Sequence, residues 1–259
     1  STLGALVREL GCERPVVVSD DVVDAALGSA VPDALAAASL AARRLRFAGE
    51  CTHAAIAALS AQARDARTDA VVALGGGKTI DTAKGIARAI GARLVIAPTV
   101  ASNDSPTSRL IVVYDDDHRL VGVDYLARNP DVVLVDTEVI VRAPVRFFRA
   151  GIGDAISKRY EAAQCARAGG LNFFGGTPPD TAGLLADRCH AAIVEHGLAA
   201  IEAVGRHACT PAVESVVEAT VLLSGLGFES GGLSLSHALL RGLSAGPERG
   251  GGPHGGEGA

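Results

Sequence analysis

The stretch VVALGGGKTIDTAKGIARAI, residues 71–90, is the first part of the chain whose residue types could bind a ligand. An apolar, strand-like run leads into Gly75, Gly76 and Gly77, and a helix-like pattern that begins with Lys78 follows. Because glycine has no Cβ atom, the backbone N–H groups of such a turn can approach a diphosphate closely, and the start of the helix adds further N–H groups and a positive dipole end. The segment predicts phosphate binding, with a tight turn that holds no ligand as the alternative.

Two common phosphate-binding patterns do not fit these glycines. A Walker A loop would need glycine where Val72 stands, and the G-x-G-x-x-G dinucleotide pattern would need glycine where Ile80 stands. The prediction therefore depends on the order strand, glycine turn and helix, which in an open parallel sheet marks the place where ligands bind.

Composition and charge argue against several classes of partner. The chain has 24 Lys and Arg against 29 Asp and Glu, a net charge of −5 and no basic block, so nucleic acid is not expected. No apolar run reaches about 18 residues, so no membrane span is expected, and the N-terminus lacks a basic-then-apolar signal pattern. The cysteines are scattered without a C-x-x-C pair, which favours reduced thiols in the cytoplasm; they are Cys12, Cys51, Cys165, Cys189 and Cys209.

The first half of the chain alternates strand-like and helix-like segments, which predicts an α/β domain with a parallel, Rossmann-like sheet and helices on both faces. The predicted strands span residues 14–20, 43–47, 70–74, 93–98 and 131–136, and residues 109–125 predict a hairpin around an Asp-rich turn. The predicted helices span residues 22–41 with a break near Pro32, residues 52–66 with Thr52 as N-cap, and residues 78–90.

From about Pro144 the pattern is helical. The helix-like segments span residues 146–168, 180–205, 211–230 and 233–244. We therefore predict two domains, an α/β domain over residues 1–143 and an all-α domain over residues 144–259.

Five segments carry a resemblance to a known family: GGGKTIDTAKGIA, APTVASNDSPTS, NPDVVLVDT, AGIGDAISKRYEA and LLSGLGFESGGLSLSHAL. In this order, they resemble the iron-containing (metal-dependent) alcohol dehydrogenases, and in particular the glycerol dehydrogenase branch. The resemblance implies a dehydroquinate synthase-like architecture, and it implies that the glycine turn holds the pyrophosphate of NAD.

The same resemblance implies the other cofactor contacts. Asp20, at the end of the first predicted strand, would accept hydrogen bonds from the adenosine ribose and repel the 2′-phosphate of NADP, with a helix N-cap as the alternative. The remaining positions are Lys78 and Asp81 beside the glycines, Thr99 and Ser102 in the loop after the fourth strand, and Ser108, Leu110 and Tyr114 in the hairpin segment.

A metal site of Asp154, His237 and His254 is also implied by the resemblance. One carboxylate and two imidazoles suit Zn²⁺ or Fe²⁺, glycerol dehydrogenases resemble the zinc case, and the ion would act as a Lewis acid on the alcohol. Each residue also has an ordinary structural alternative. Asp154 alone would be an acidic residue in the first turn of a helix, His237 a histidine of the core, and His254 a solvated histidine in a linker. Asp104, in SNDSPTS, would lie by the substrate and orient a hydroxyl of a vicinal diol, with an Asx-turn before Pro106 as the alternative.

These inferences predict NAD-dependent oxidation of glycerol, or of a similar small vicinal polyol, to the hydroxyketone by a cytoplasmic homo-oligomer. The alternatives are a relative that acts on a cyclitol or sugar-like substrate and a non-catalytic protein that binds NAD. At the C-terminal end the chain departs from the family pattern, because two glycines separate His254 from Glu257 and the family's later helices do not follow. A truncated chain with weakened metal binding is therefore expected.

Overall fold

The computed structural model describes residues 2–235, 237 and 239 of the chain. The backbone forms two compact units, which we call unit 1 (Ser1–Thr99 and Arg109–Val135) and unit 2 (Val100–Ser108 and Asp136–Ala259). The segment Val100–Ser108 belongs to unit 2 although unit 1 precedes and follows it in the chain. The predicted division of cofactor and metal binding between residues 1–143 and 144–259 stays a prediction.

Unit 1 is built on a five-stranded parallel sheet with the strand order β2-β1-β3-β4-β7. Its strands are β1 (Pro15–Ser19), β2 (Arg43–Arg46), β3 (Ala70–Gly75), β4 (Arg93–Pro98) and β7 (Val132–Val133). A separate antiparallel hairpin is formed by β5 (Leu110–Tyr114) and β6 (Leu120–Tyr125). The predicted strands are confirmed, but the last is shorter than residues 131–136, because Asp136 already caps the short helix α6 (Thr137–Ile140).

Helices cover both faces of this sheet, as the alternation of strand side chains requires. On one face the strands pack against α4 (His53–Asp65) and α5 (Gly77–Ile90); this cluster includes Val16, Val18, Val71, Ile56, Ile80 and Ile86. On the other face they pack against α1 (Thr2–Glu9) and α3 (Ala30–Ala37); this cluster includes Val17, Val72, Leu3, Val7 and Leu35.

Local capping explains where the helices of unit 1 begin and end. Thr52 is the predicted N-cap of α4, and its side chain accepts a hydrogen bond of 3.0 Å from the N–H of Ala55. The predicted helix over residues 22–41 is instead two helices, α2 (Asp21–Leu27) and α3, separated at Gly28, whose φ of +56° suits glycine. The predicted break near Pro32 is wrong, because this proline lies in the first turn of α3, where helical N–H groups lack partners. Helix α1 was not expected from the pattern.

Unit 2 is helical, as predicted, with small residues where its helices meet. It contains α7 (Val145–Arg167), α8 (Asp180–Gly205), α9 (Pro211–Glu218), a π-helical turn (Ala219–Leu223) and α10 (Ser224–Gly231). Helix α8 packs against α7, α9 and α10, and Ala155, Cys189, Ala192 and Ala219 are buried in one core cluster. The helix predicted over residues 233–244 lies largely outside the described residues, although His237 has a helical backbone.

The helical stretch Pro211–Gly231 has the length and the mean hydropathy, 1.3, of a membrane span. However, 56% of its most apolar window is buried within the protein, and it carries the buried polar residues Thr220 and Glu229. This stretch is therefore a core helix of unit 2.

We expect Gly151→Ala to destabilise unit 2. A methyl group at this position of α7 would overlap the backbone carbonyl of Ala101, which cannot rotate away. Overpacking of this kind costs about 1–3 kcal/mol. Gly183→Ala on α8 is the matched control, because nothing lies within 4 Å of the added methyl group. Urea unfolding should show a loss of stability for Gly151→Ala and none for Gly183→Ala; equal stabilities of the two variants would contradict the packing described.

Candidate functional site

The strand order of unit 1 identifies the edge at which a ligand would bind. Strand β1 pairs with β2 on one side and with β3 on the other, so the chain reverses its direction across the sheet between β1 and β3. In open α/β sheets ligands bind at the carboxyl ends of the strands at such a switch point. Asp20 directly follows β1, and Gly75 ends β3.

The glycine turn connects β3 to α5 closely. A Cβ atom on Gly75 would lie 2.8 Å from the side chain of Thr79, so no larger residue fits there without a shift. The N–H of Thr99 donates to the carbonyl of Gly75 over 3.1 Å, which places the end of β4 beside the turn. Gly76 is the N-cap of the 14-residue helix α5 and offers no side chain to its first N–H groups. This geometry suits a diphosphate.

Asp20 has a local role in the structure. Its Oδ1 atom accepts the N–H of Val23 over 2.8 Å and caps α2, so the N-cap alternative holds for one of its two oxygens. Its predicted contact with the ribose stays a prediction.

Two arginines of β2, Arg44 and Arg46, reach Asp21 at the start of α2. Arg46 hydrogen-bonds to both carboxylate oxygens of Asp21, with 2.9 Å between its Nε and each oxygen, and Arg44 reaches the same carboxylate over 2.8 Å. The hydrogen bonds from Arg46 and then Arg44 hold the pKa of Asp21 well below its usual range. Both guanidinium groups are therefore already paired with a carboxylate.

Lys78 lies at the start of α5 and is ion-paired with Glu50. The Glu50 side chain is only 3% exposed, whereas that of Lys78 is 37% exposed. His118 also contacts this carboxylate, with 2.6 Å between its Nδ1 and Oε1 of Glu50. The sequence analysis did not single out Glu50, because a lone glutamate after a strand carries no pattern.

Asp81 is buried and connects α5 to the hairpin. Its Oδ2 accepts the N–H of Val112 over 3.1 Å, and its Oδ1 accepts a hydrogen bond of 3.1 Å from Lys84. The fully buried Lys84 also donates to the carbonyl of Leu110 over 2.7 Å. These contacts position β5; the predicted cofactor contacts of Asp81 and Leu110 stay predictions.

Tyr114, at the end of β5, is mostly buried. Burial, followed by the negative charges of Asp81 and Glu50, raises the pKa of its phenol to about 12. The phenol is therefore neutral near neutral pH and can donate a hydrogen bond.

In unit 2, one face of α7 carries three charged residues at positions i, i+4 and i+7: Asp154, Lys158 and Glu161. The ammonium nitrogen of Lys158, whose side chain is 1% exposed, lies 3.0 Å from Oδ1 of Asp154 and 3.2 Å from Oδ2 of Asp104. It also lies 3.1 Å from Nε2 of His237. We call these five residues the Lys158 cluster.

His237 is oriented by Glu161. The carboxylate of Glu161 accepts the backbone N–H of His237 over 3.1 Å and lies 2.6 Å from its Nδ1. The tautomer with its proton on Nδ1 satisfies this contact and leaves Nε2 to accept from Lys158. Burial alone would raise the pKa of Glu161, but the hydrogen bonds from His237 outweigh it and bring the pKa to about 2.

The two aspartates of the cluster differ in their surroundings. Burial by itself raises the pKa of Asp154, but the charge of Lys158 outweighs burial and lowers the pKa to about 2. Burial dominates at Asp104 and raises its pKa, even though Lys158 opposes this shift. Asp104 also accepts a hydrogen bond of 2.8 Å from Ser224 in α10.

The segment Val100–Ser108 delivers Asp104 to this cluster. Thr107 donates to the carbonyl of Val221 over 2.7 Å and so ties the segment to the π-helical turn. The Asx-turn considered for Asp104 belongs instead to Asn103, whose side chain accepts the N–H of Ser105 over 3.1 Å. Ser102 and Ser108 are buried in the same unit, and their predicted cofactor contacts stay predictions.

The structure thus brings Asp104, Asp154 and His237 together, whereas His254 lies outside the described residues. Lys158 and Glu161 were missed by the sequence analysis. Their spacing from Asp154 in GDAISKRYE was the available signal, because residues at i+4 and i+7 share one helix face.

Comparison with known proteins identifies the family. The family model described as iron-containing alcohol dehydrogenase matches residues 1–137. A glycerol dehydrogenase of Escherichia coli is 41% identical over 246 residues, which cover 95% of this chain and 67% of the relative. A glycolaldehyde reductase of Halobacterium salinarum is 40% identical over 242 residues, covering 93% of this chain and 66% of the relative.

This chain belongs to the iron-containing alcohol dehydrogenases. The crystal structure of glycerol dehydrogenase from Schizosaccharomyces pombe matches with a TM-score of 0.89 and 37% identity, covering 94% of this chain and 62% of that one. The chain therefore spans about two thirds or less of the length of these relatives. NAD dependence and metal binding are general for the family.

The Lys158 cluster does not fit the metal that this family implies. Among the described residues no group of three His, Cys, Asp or Glu side chains is arranged to hold an ion. Oδ1 of Asp154 and Nε2 of His237 lie 3.5 Å apart, and metal bonds of about 2.0–2.2 Å to both would leave the ion within about 4 Å of the Lys158 nitrogen. Unit charges at that distance repel by about 4 kcal/mol near a protein surface, and a divalent ion doubles this.

Two of the cysteines are too deeply buried to act as nucleophiles. All five are free thiols, and only Cys209 among them is exposed. Burial raises the pKa of Cys51 and Cys189 to about 12, so these two thiols stay protonated and inert.

We expect stability to fall at alkaline pH partly through Tyr114. A phenol ionises at about pH 10 in the unfolded chain and at about 12 in the folded one, so its contribution is complete below about pH 10 and is lost as the pH rises towards 12. The free energy of unfolding, measured with urea, should fall less between about pH 9 and about pH 11.5 for Tyr114→Phe than for the wild type. Absorbance at the phenolate band gives a second measurement, because the chain has three tyrosines and no tryptophan; an unchanged high-pH step in the variant would contradict the assignment.

We expect Lys158→Met to cost about 3–5 kcal/mol of stability, because it leaves buried carboxylates without their cation. Arg159→Met is the matched control on α7, since Arg159 pairs with Asp187 at the surface, 47% and 57% exposed, where such pairs contribute about 0–1 kcal/mol. Adding Asp104→Asn to Lys158→Met should recover part of the loss. Similar unfolding midpoints for the Lys158 and Arg159 variants would show that the cluster is not held by this ammonium.

Proposed function

We propose that this chain carries out the NAD-dependent oxidation of glycerol, or of a similar small vicinal polyol, to the hydroxyketone. The observation that carries the proposal is the glycine turn of unit 1 at the switch point of a parallel sheet, in a chain that is about 40% identical to a glycerol dehydrogenase over most of its length. Glycerol dehydrogenases of Escherichia coli and Thermotoga maritima and a glycolaldehyde reductase of Halobacterium salinarum are 40–43% identical to this chain over 90–95% of its length. These relatives support a small substrate with neighbouring oxygen atoms.

The proposed cofactor is NAD rather than NADP. Asp20 places a negative charge at the end of β1, where the adenosine ribose would lie, and this charge disfavours a 2′-phosphate. Arg44 and Arg46, which could otherwise attract that phosphate, are already paired with Asp21. The turn of Gly75, Gly76 and Gly77 would hold the pyrophosphate through backbone N–H groups.

In the proposed reaction a hydride leaves the carbon of the alcohol for the nicotinamide, and the hydroxyl proton is released to water. The side chain of Asp104 would accept hydrogen bonds from the substrate and so favour diols over simple alcohols. The family's metal would act as a Lewis acid on the hydroxyl. Of Zn²⁺ and Fe²⁺, we propose Zn²⁺, because the resemblance is to the glycerol dehydrogenase branch. The described residues do not fit that ion, so the contacts that this chain offers the substrate are those of Asp104.

A second candidate is an NAD-binding protein without turnover, and the position of Lys158 in the cluster favours it. The two candidates differ only in turnover, so one assay separates them.

Cytoplasmic localisation and a homo-oligomer are also proposed. The free thiols support the first, and the exposed apolar residues Leu184, Val194 and Leu198 of α8 support the second.

We expect NAD reduction with glycerol and little or no reduction with NADP, measured as initial rates from the absorbance of the reduced nicotinamide. A panel with a cyclitol and with propan-1-ol tests the substrate class. Asp104→Asn should lower kcat/KM for glycerol by about 10-fold or more relative to propan-1-ol, since a hydrogen bond to a charged group contributes about 1.5–3 kcal/mol.

Asp187→Asn, an exposed carboxylate on α8, is the matched control and should leave both rates unchanged. An equal loss of kcat/KM with glycerol and with propan-1-ol would contradict the proposed role of Asp104. A preference for NADP would contradict that of Asp20. NAD binding by calorimetry without turnover on any member of the panel would favour the second candidate.

A further inference from the structure

The ammonium group of Lys158 lies at the centre of the cluster. Its nitrogen has three polar neighbours at 3.0–3.2 Å: Oδ1 of Asp154, Oδ2 of Asp104 and Nε2 of His237. An ammonium group has three N–H donors, so each donor has one acceptor when His237 is neutral and carries its proton on Nδ1. The ring of Phe228 lies 5.0 Å from the same nitrogen, where the face of an aromatic ring attracts a cation.

Carboxylate oxygens and an imidazole nitrogen are also the atoms that a divalent metal would use. The cluster therefore has the donor atoms of a metal site, but a protein-borne cation stands among them. With Lys158 in place, its charge balances one of the three carboxylates of the cluster, and that of Glu161 is already hydrogen-bonded to His237. A divalent ion bound to Asp154 and His237 would in addition lie within about 4 Å of the ammonium nitrogen, where the two cations repel each other.

The side chains that hold Lys158 are themselves fixed. His237 is hydrogen-bonded to Glu161 through both its backbone N–H and its Nδ1, so Nε2 points at the ammonium. Asp104 is fixed by Ser224. With 1% of its side chain exposed, Lys158 would have to leave all three acceptors before a metal could bind Asp154 and His237.

We propose that the ammonium group of Lys158 is the resident cation of this site, in the place that a divalent metal would take, and that the chain consequently binds divalent metal only weakly. The inference does not depend on turnover. Its test is a binding measurement, so its failure and the failure of the proposed polyol oxidation are distinguishable.

The test is calorimetric titration of metal-free protein with Zn²⁺. The wild type should show no tight stoichiometric binding. Lys158→Ala, which removes the cation and leaves the carboxylates and the imidazole, should bind one Zn²⁺ on the order of a hundredfold or more tightly than the wild type. Zn²⁺ should raise the melting temperature of Lys158→Ala, because a ligand that binds only the folded state stabilises it, and should leave that of the wild type unchanged.

Three controls make the result specific. Lys158→Gln keeps a polar side chain of similar length without the charge and should also gain affinity, which guards against a misfolded alanine variant. Adding Asp154→Ala to Lys158→Ala should abolish the gain, whereas Arg159→Ala on the same helix should behave like the wild type. Tight binding of one Zn²⁺ by the wild type, or a gain that survives Asp154→Ala, would overturn the proposal.

Discussion

The interaction on which unit 2 depends is the burial of one ammonium group among two carboxylates and an imidazole. Removing a charge from water is costly unless hydrogen-bond partners and opposite charges replace the water. Lys158 meets that condition with Asp154 on its own helix, with Asp104 from the segment Val100–Ser108 and with His237. The packing of unit 2 is therefore constrained by charge as well as by the small apolar residues of α7 and α8.

Unit 1 also contains a buried lysine that is paired with an aspartate. Lys84 is also fully buried, and it joins Asp81 on its own helix to the carbonyl of Leu110 in the hairpin. In both units a lysine from the middle of a helix bonds to a segment that is distant in sequence. Such a pair tolerates little change, because the loss of one partner leaves the other charged and buried.

The chemistry proposed for this chain follows from how the two units differ. In unit 1 the ligand-binding features are backbone features: the end of β3, the glycines after it and the first turn of α5, all at the switch point of the sheet. In unit 2 they are side chains on α7 and on the segment that carries Asp104. A metal belongs to the family's chemistry, but in this chain the ammonium of Lys158 competes for the same donor atoms.

The sequence by itself determined the alternation of strands and helices, the glycine turn at residues 75–77 and the N-cap at Thr52, because these depend on local periodicity, backbone freedom and neighbouring hydrogen bonds. It also indicated Asp104, Asp154 and His237 through their motifs. The break at Gly28 follows from a local rule, because a positive φ favours glycine, whereas a proline in the first turn of a helix does not interrupt it. Only the tertiary structure decided that residues 100–108 join unit 2, that Glu50 meets Lys78 and that Lys158 occupies the centre of the candidate metal site. Those outcomes depend on atoms from segments far apart in the chain, and no local pattern encodes the distances between them.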